Sequence, residues 1–123
     1  MEPLLMLQTA TALFAIAALG GVLMAGIRLG AKRNPPIWLA MLHGLLGGAG
    51  LTLLAYAVCT AEVSRNAGIA LALLLLAAVG GITLNLGYHW KQQPLPVGLL
   101  VGHAALAVIG FVLLAFTAFG GGG

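Results

Sequence analysis

Four long apolar blocks divide the chain, at about Leu4–Leu29, Pro36–Val58, Ala67–Tyr88 and Leu95–Phe119. A helix needs about 20 apolar residues to cross the hydrocarbon layer of a bilayer, and each block is long enough. Polar residues gather where the blocks meet: Arg28, Lys32 and Arg33 at the first junction, Glu62, Ser64, Arg65 and Asn66 at the second, Lys91 to Gln93 at the third. The pattern predicts an all-α membrane protein of four transmembrane helices, with no residues left over for a soluble domain. Composition agrees. At 62% hydrophobic and 6% charged residues, there is too little charge to cover a water-facing surface.

The first and third junctions read as tight turns, Asn34-Pro35-Pro36 and Gln93-Pro94-Leu95-Pro96. Proline is tolerated in the first turn of a helix, where its missing N–H is not needed, so Pro36 and Pro96 mark the starts of the second and fourth helices. The polar connection Thr60–Gly68 is the linker between two halves.

Those halves are repeats. Displacing the chain by 60 residues lays 9–58 over 69–118 without a gap, and the rarer residue types coincide: Gly20-Gly21 with Gly80-Gly81, Pro36 with Pro96, His43 with His103, Gly50 with Gly110. Each half is then a helical hairpin. Two hairpins in the same orientation are related by an axis along the membrane normal. The expected fold is a single membrane domain over 1–123, a four-helix bundle of two tandem hairpins at about 9–58 and 69–118. A ring with this symmetry sets the second and fourth helices diagonally opposite each other.

Charge adds sidedness rather than a polyanionic partner. The net charge of +3 comes from few residues, and Arg28, Lys32, Arg33 and Lys91 all flank the first and third connections. The positive-inside rule places those connections in the cytoplasm and both termini outside, as in a bacterial inner membrane, and nothing points to nucleic acid. Residues 4–26 are expected to be retained as a helix rather than cleaved. Only Glu2 precedes them, their basic residues follow, and the run is too long for a signal peptide. Trp38, Tyr88 and Trp90 belong to one membrane boundary and Tyr56, Phe116 and Phe119 to the other. The single cysteine, Cys59, permits no internal disulfide and reads as a small apolar filler. The terminal Gly120–Gly123 run reads as a tail.

The candidate chemistry lies in the helices. His43 and His103 each follow their marker proline by seven residues, about 10 Å along a helix, and so lie past the interface. Ionisable groups at that depth normally face a bundle interior and are functional hypotheses by default. The face of His43 continues through Gly47 and Gly50, and that of His103 through Ala107 and Gly110. Gly20-Gly21 and Gly80-Gly81 fall about one turn from the histidine level on the other two helices, where small residues leave room for a large flat group. Arg28 lies on the Gly21 face nearer the turn. His89, between Tyr88 and Trp90, reads as a solvated interfacial residue. Asn85 and Thr83 read either as partners for neighbouring backbone or as contacts to a bound head group.

Histidines on two helices with glycines on the other two resemble the membrane b-type cytochromes. The resemblance covers the four-helix architecture and about six residues of motif, with no diagnostic string. It implies one haem b, since each ligand helix carries one histidine where multi-haem members carry two. His43 and His103 would be the axial metal ligands, Gly20, Gly21, Gly80, Gly81 and Gly47 would line the cofactor, and Arg28 would meet a propionate. Lys32, Arg33 and Lys91 are further candidates for that contact. The implied function is electron transfer within a larger redox complex or a homo-oligomer, with a quinone or redox subunit as partner and membrane lipid around it. Such a chain is a carrier or subunit more than a stand-alone enzyme.

The rival expectation is a non-catalytic accessory subunit. Small residues at spacings of three and four bring membrane helices close, and the histidines would then hydrogen-bond across a helix interface. A proton or metal role is a further option. A small transporter is disfavoured by the absence of Asp or Glu from every apolar block. Nucleophile triads, phosphate loops and clustered metal-ligand spacings are also absent from the sequence.

Overall fold

In the computed structural model, which describes residues 1–120, the four apolar blocks are four helices. They are α1 (Pro3–Gly30), α2 (Ile37–Thr60), α3 (Arg65–Leu84, prolonged by a π-helical turn over Asn85–His89) and α4 (Val97–Phe119). All four are long and apolar enough to cross a membrane. The all-α four-helix architecture expected from the sequence is the one that forms. Gly121–Gly123, the end of the expected tail, lie outside the described residues.

Local chemistry sets the helix ends. Pro36 and Pro96 sit immediately ahead of α2 and α4 as their N-caps. Pro36 O accepts from the N–H of Leu39 and Ala40 at 3.2 and 3.3 Å, and Pro96 O accepts from Leu100 N at 3.0 Å. Ser64 caps α3, its Oγ accepting from Asn66 N at 3.1 Å, which satisfies one of the orphan donors of a helix start. The chain leaves α1 and α3 through Lys32 and Gln92, both at φ 56° and both at the same position of the repeat. A left-handed residue is a common helix terminator and is usually glycine. Here two long polar side chains adopt it.

Packing is tightest inside each hairpin, α1 on α2 and α3 on α4. Lesser contacts join α1 to α4 and α2 to α3. The four helices therefore form a ring in which α2 and α4 are diagonal. The buried core lies at the linker end, where Leu7, Ala10, Phe14 and Leu54 of the first hairpin meet Ala70, Leu74 and Leu114 of the second. Leu54 and Leu114, repeat equivalents, are the two largest fully buried side chains. Gly50 and Gly110 make this possible. A Cβ on Gly50 would fall 3.0 Å from the Phe14 ring, and one on Gly110 would fall 2.8 Å from Leu74 Cγ. These glycines receive a side chain from the other helix of their own hairpin, and α2 and α4 are not drawn together by them.

At the turn end the two hairpins are stitched reciprocally. Arg28 Nε on α1 donates to Leu95 O at 3.0 Å, and His89 Nε2 at the end of α3 donates to Pro35 O at 2.7 Å. Leu95 is the repeat equivalent of Pro35, so each hairpin reaches for the same carbonyl of the other. The equivalent of Arg28 is Tyr88, one residue short of His89. A π-helical turn holds one more residue than an α-helical turn, and this extra residue brings position 89 inward in place of 88. His89 is consequently 5% exposed, whereas the sequence reading placed it in solvent. Asn34 completes the stitch: its Nδ2 donates to Gln93 O at 2.7 Å and its Oδ1 accepts from Leu95 N at 3.1 Å.

Candidate functional site: a histidine pair at the bundle waist

Between the linker-end core and the turn-end stitches lies a waist in which side chains are half-buried. In the first hairpin no residue from Ala18 to Asn34, or from Ala40 to Ala49, is fully buried, and 78–83 and 96–109 of the second behave alike. The two histidines meet here. His43 on α2 and His103 on α4 place their ring centroids 6.1 Å apart, with the ring planes at 78°.

Each ring is seated by its own hairpin in the same way. His43 Nδ1 lies 2.7 Å from Ala17 O on α1, and His103 Nδ1 lies 2.6 Å from Ala77 O on α3. A carbonyl only accepts, so the proton of each neutral ring is on Nδ1 and the lone pair is on Nε2. Neither Nε2 has a hydrogen-bond partner among the described residues. In its neutral form each ring therefore presents the Nε2 lone pair within an apolar bundle. Metal-binding histidines are commonly held in this form, with one nitrogen committed to a carbonyl and the other free to ligate.

The paired glycines explain how the rings fit. A Cβ on Gly21 would lie 3.1 Å from His43 Cε1, and one on Gly81 would lie 3.0 Å from His103 Cε1. Gly20 and Gly80 lie against the Cβ atoms of the same histidines. These four glycines lie directly against the histidine pair, and the flat groups they admit are the imidazoles themselves. Gly47 has nothing within 4 Å of where its Cβ would be and borders open space. Arg28 is at the turn end, as expected, with its Nε engaged by Leu95 O. No cluster of three or more His, Cys, Asp or Glu side chains forms among the described residues. The open grooves of the surface, around Val58–Ala72 and Phe111–Gly120, are at the linker end and include neither histidine.

Sequence reasoning missed the carbonyl partners. Their positions were nevertheless signalled: Ala17 precedes Gly20 and Gly21 by three and four residues, the spacing of one helix face, and Ala77 precedes Gly80 and Gly81 likewise.

Asn85 is the exception to a well-satisfied polar inventory. Its Oδ1 is buried with no hydrogen-bond partner, although the residue opens the π-helical turn one helical turn beyond Gly81. A buried, unsatisfied acceptor costs about 1–3 kcal/mol. Replacing the amide by an apolar side chain of similar shape removes that cost, so Asn85→Leu is expected to raise the unfolding midpoint in detergent. A lowered midpoint would mean that the amide is satisfied by a bound group.

Compared with family models, with curated proteins and with solved structures, the chain finds no match in any of the three.

Proposed function

We propose that this chain is a membrane electron-transfer protein that holds one b-type haem on His43 and His103, within a larger redox assembly in a bacterial inner membrane. One observation carries the reading. Two imidazoles on opposite sides of one metal ion, with bonds of about 2 Å each, would set their centroids roughly 6 Å apart, and the 6.1 Å separation here matches that spacing. The donor set fits as well, since a backbone carbonyl engages Nδ1 of each ring and leaves Nε2 without a protein partner among the described residues. Among the described residues, the half-buried waist on either side of the pair lies between the linker-end core and the cross-hairpin stitches of the turn end.

A haem held by both His43 and His103 would supply one-electron exchange. The rest falls to the residues. Ala17 O and Ala77 O hold the imidazole tautomers and orientations. Gly21 and Gly81 leave room for Cε1 of each ring against α1 and α3. Arg28, anchored through Nε, keeps its terminal guanidinium nitrogens for a carboxylate, and Lys32, Arg33 and Lys91 are exposed at the same end. A single site near one boundary does not bridge about 30 Å of hydrocarbon, which is why a quinone or another redox subunit belongs in the reading.

The geometry makes two tests. Haem bound to purified protein should reach one per chain. Were a haem held by His43 and His103 with their ring planes at the 78° seen here, its oxidised form would give a highly anisotropic low-spin electron paramagnetic resonance signal. A signal typical of parallel rings would contradict the arrangement. Sidedness is tested separately. A reporter fused after Gly123 should read as non-cytoplasmic, following the positive-inside argument; a cytoplasmic signal would move the site to the opposite leaflet.

A second reading has its own support. Each histidine seat, carbonyl and glycine together, is complete within one hairpin. In an accessory subunit without a cofactor the pair would act as a polar clasp between repeats. Haem stoichiometry separates the two.

A further inference from the structure

We infer that the open groove at the linker end binds a zwitterionic aminophospholipid of the phosphatidylethanolamine type. The groove runs between the last turn of α2 and the first two turns of α3, with a volume of about 750 Å³. Its walls are apolar, with Val58 on one side and Ile69 and Ala72 on the other, and Gly68 forms part of the floor. A Cβ on Gly68 would meet nothing within 4 Å, so the space over it is open.

Two opposite charges stand at the mouth. Glu62 and Arg65 both line the groove and both are exposed. Neither makes an ion pair with any other described residue. They stand where α2 ends and α3 begins, the level at which lipid phosphates and amines lie. The walls continue from there along the apolar helices α2 and α3, where Ile69 is 41% exposed.

This pairing selects among lipids. An anionic phospholipid would satisfy Arg65 and be opposed by Glu62. A fatty acid would meet the same conflict. A zwitterion satisfies both, its phosphate at Arg65 and its amine at Glu62. The start of α3 helps, because the dipole of a helix N-terminus favours a phosphate. Between zwitterions, a primary ammonium offers three N–H donors to the Glu62 carboxylate, and a quaternary choline offers none. An ethanolamine head group therefore fits better than choline.

The test uses the whole protein in detergent, with phosphatidylethanolamine, phosphatidylcholine or phosphatidylglycerol of matched chains added, read by native mass spectrometry and by thermal unfolding. Phosphatidylethanolamine should bind most tightly and stabilise most. Glu62→Gln should remove its advantage over phosphatidylcholine, about tenfold in affinity for one lost charge-assisted hydrogen bond. Arg65→Gln should weaken all three lipids. Gly68→Leu, which fills open space without a clash, should abolish the bound adduct while the apo protein unfolds at its usual temperature. Equal binding of the three lipids, or undiminished phosphatidylethanolamine binding by Gly68→Leu, would overturn the assignment. Neither outcome bears on the histidine pair, which lies at the other end of the helices.

Discussion

Leu114→Ala is expected to destabilise the folded bundle by about 2–5 kcal/mol, toward the lower end of the range for a fully buried leucine. Leu54→Ala should do the same. Both side chains are 0% exposed and sit at equivalent points of the repeat. In lipid the transfer part of the usual penalty nearly vanishes, because hydrocarbon tails are as apolar as the core. What remains is the cavity and its lost dispersion contacts. Those contacts matter here because the packed core is confined to the linker end, while the waist contributes little. Reversible unfolding in mixed micelles measures the effect. Leu45→Ala, at a lipid-facing position 68% exposed, is the control and should change little. The double variant should fall short of the sum, since the two leucines share one cluster and its cavity.

Gly81→Leu and Gly21→Leu are expected to evict an imidazole from its seat. The first atom of the new side chain would already stand 3.0 or 3.1 Å from Cε1, and the remainder would occupy the volume of the ring. The histidine would then lose its Nδ1 contact to Ala77 O or Ala17 O and the orientation that contact imposes. On the haem reading proposed above, loss of an orienting partner alone would lower metal affinity by about 10–100-fold, and displacement of the histidine itself would do more. The readout is haem retained per chain after purification, with thermal unfolding alongside to show that the bundle still forms. Gly81→Ala should be milder, since a shift of a few tenths of an ångström relieves it. Gly47→Leu, into open space, should leave both readouts near those of the unmodified protein.

The contrast between these glycines shows what the sequence carried. The four helices, the turn prolines and the repeat were legible because each is a local or periodic signal: a long apolar run, a residue that suits only a helix start, a match at fixed displacement. The meeting of His43 with His103 was legible for the same reason, since duplicated hairpins place equivalent residues at equivalent depth. The role of the glycines was only half legible. Spacing located Gly21 and Gly81 beside the pair, but whether a gap is filled by a ligand or by a neighbouring ring depends on side-chain direction, which composition does not encode.

Other features had weaker signals. His89 faces inward because of a π-helical turn, and its extra residue reverses what a regular helix would predict for Leu29's equivalent. Lys32 and Gln92 take a left-handed conformation that glycine or asparagine normally announces. The reciprocal stitches of Arg28 to Leu95 O and His89 to Pro35 O end on backbone carbonyls, and such acceptors exist at every residue. A charged or aromatic side chain near a turn does not reveal which carbonyl it will find.

The visible absorption of the protein, purified in detergent from cells supplied with haem, tests the central claim most directly. The account predicts a sharp α-band on reduction that is lost in both His43→Ala and His103→Ala, with α-helical content retained in each variant. Colourless protein, or an α-band that survives removal of either imidazole, would contradict it.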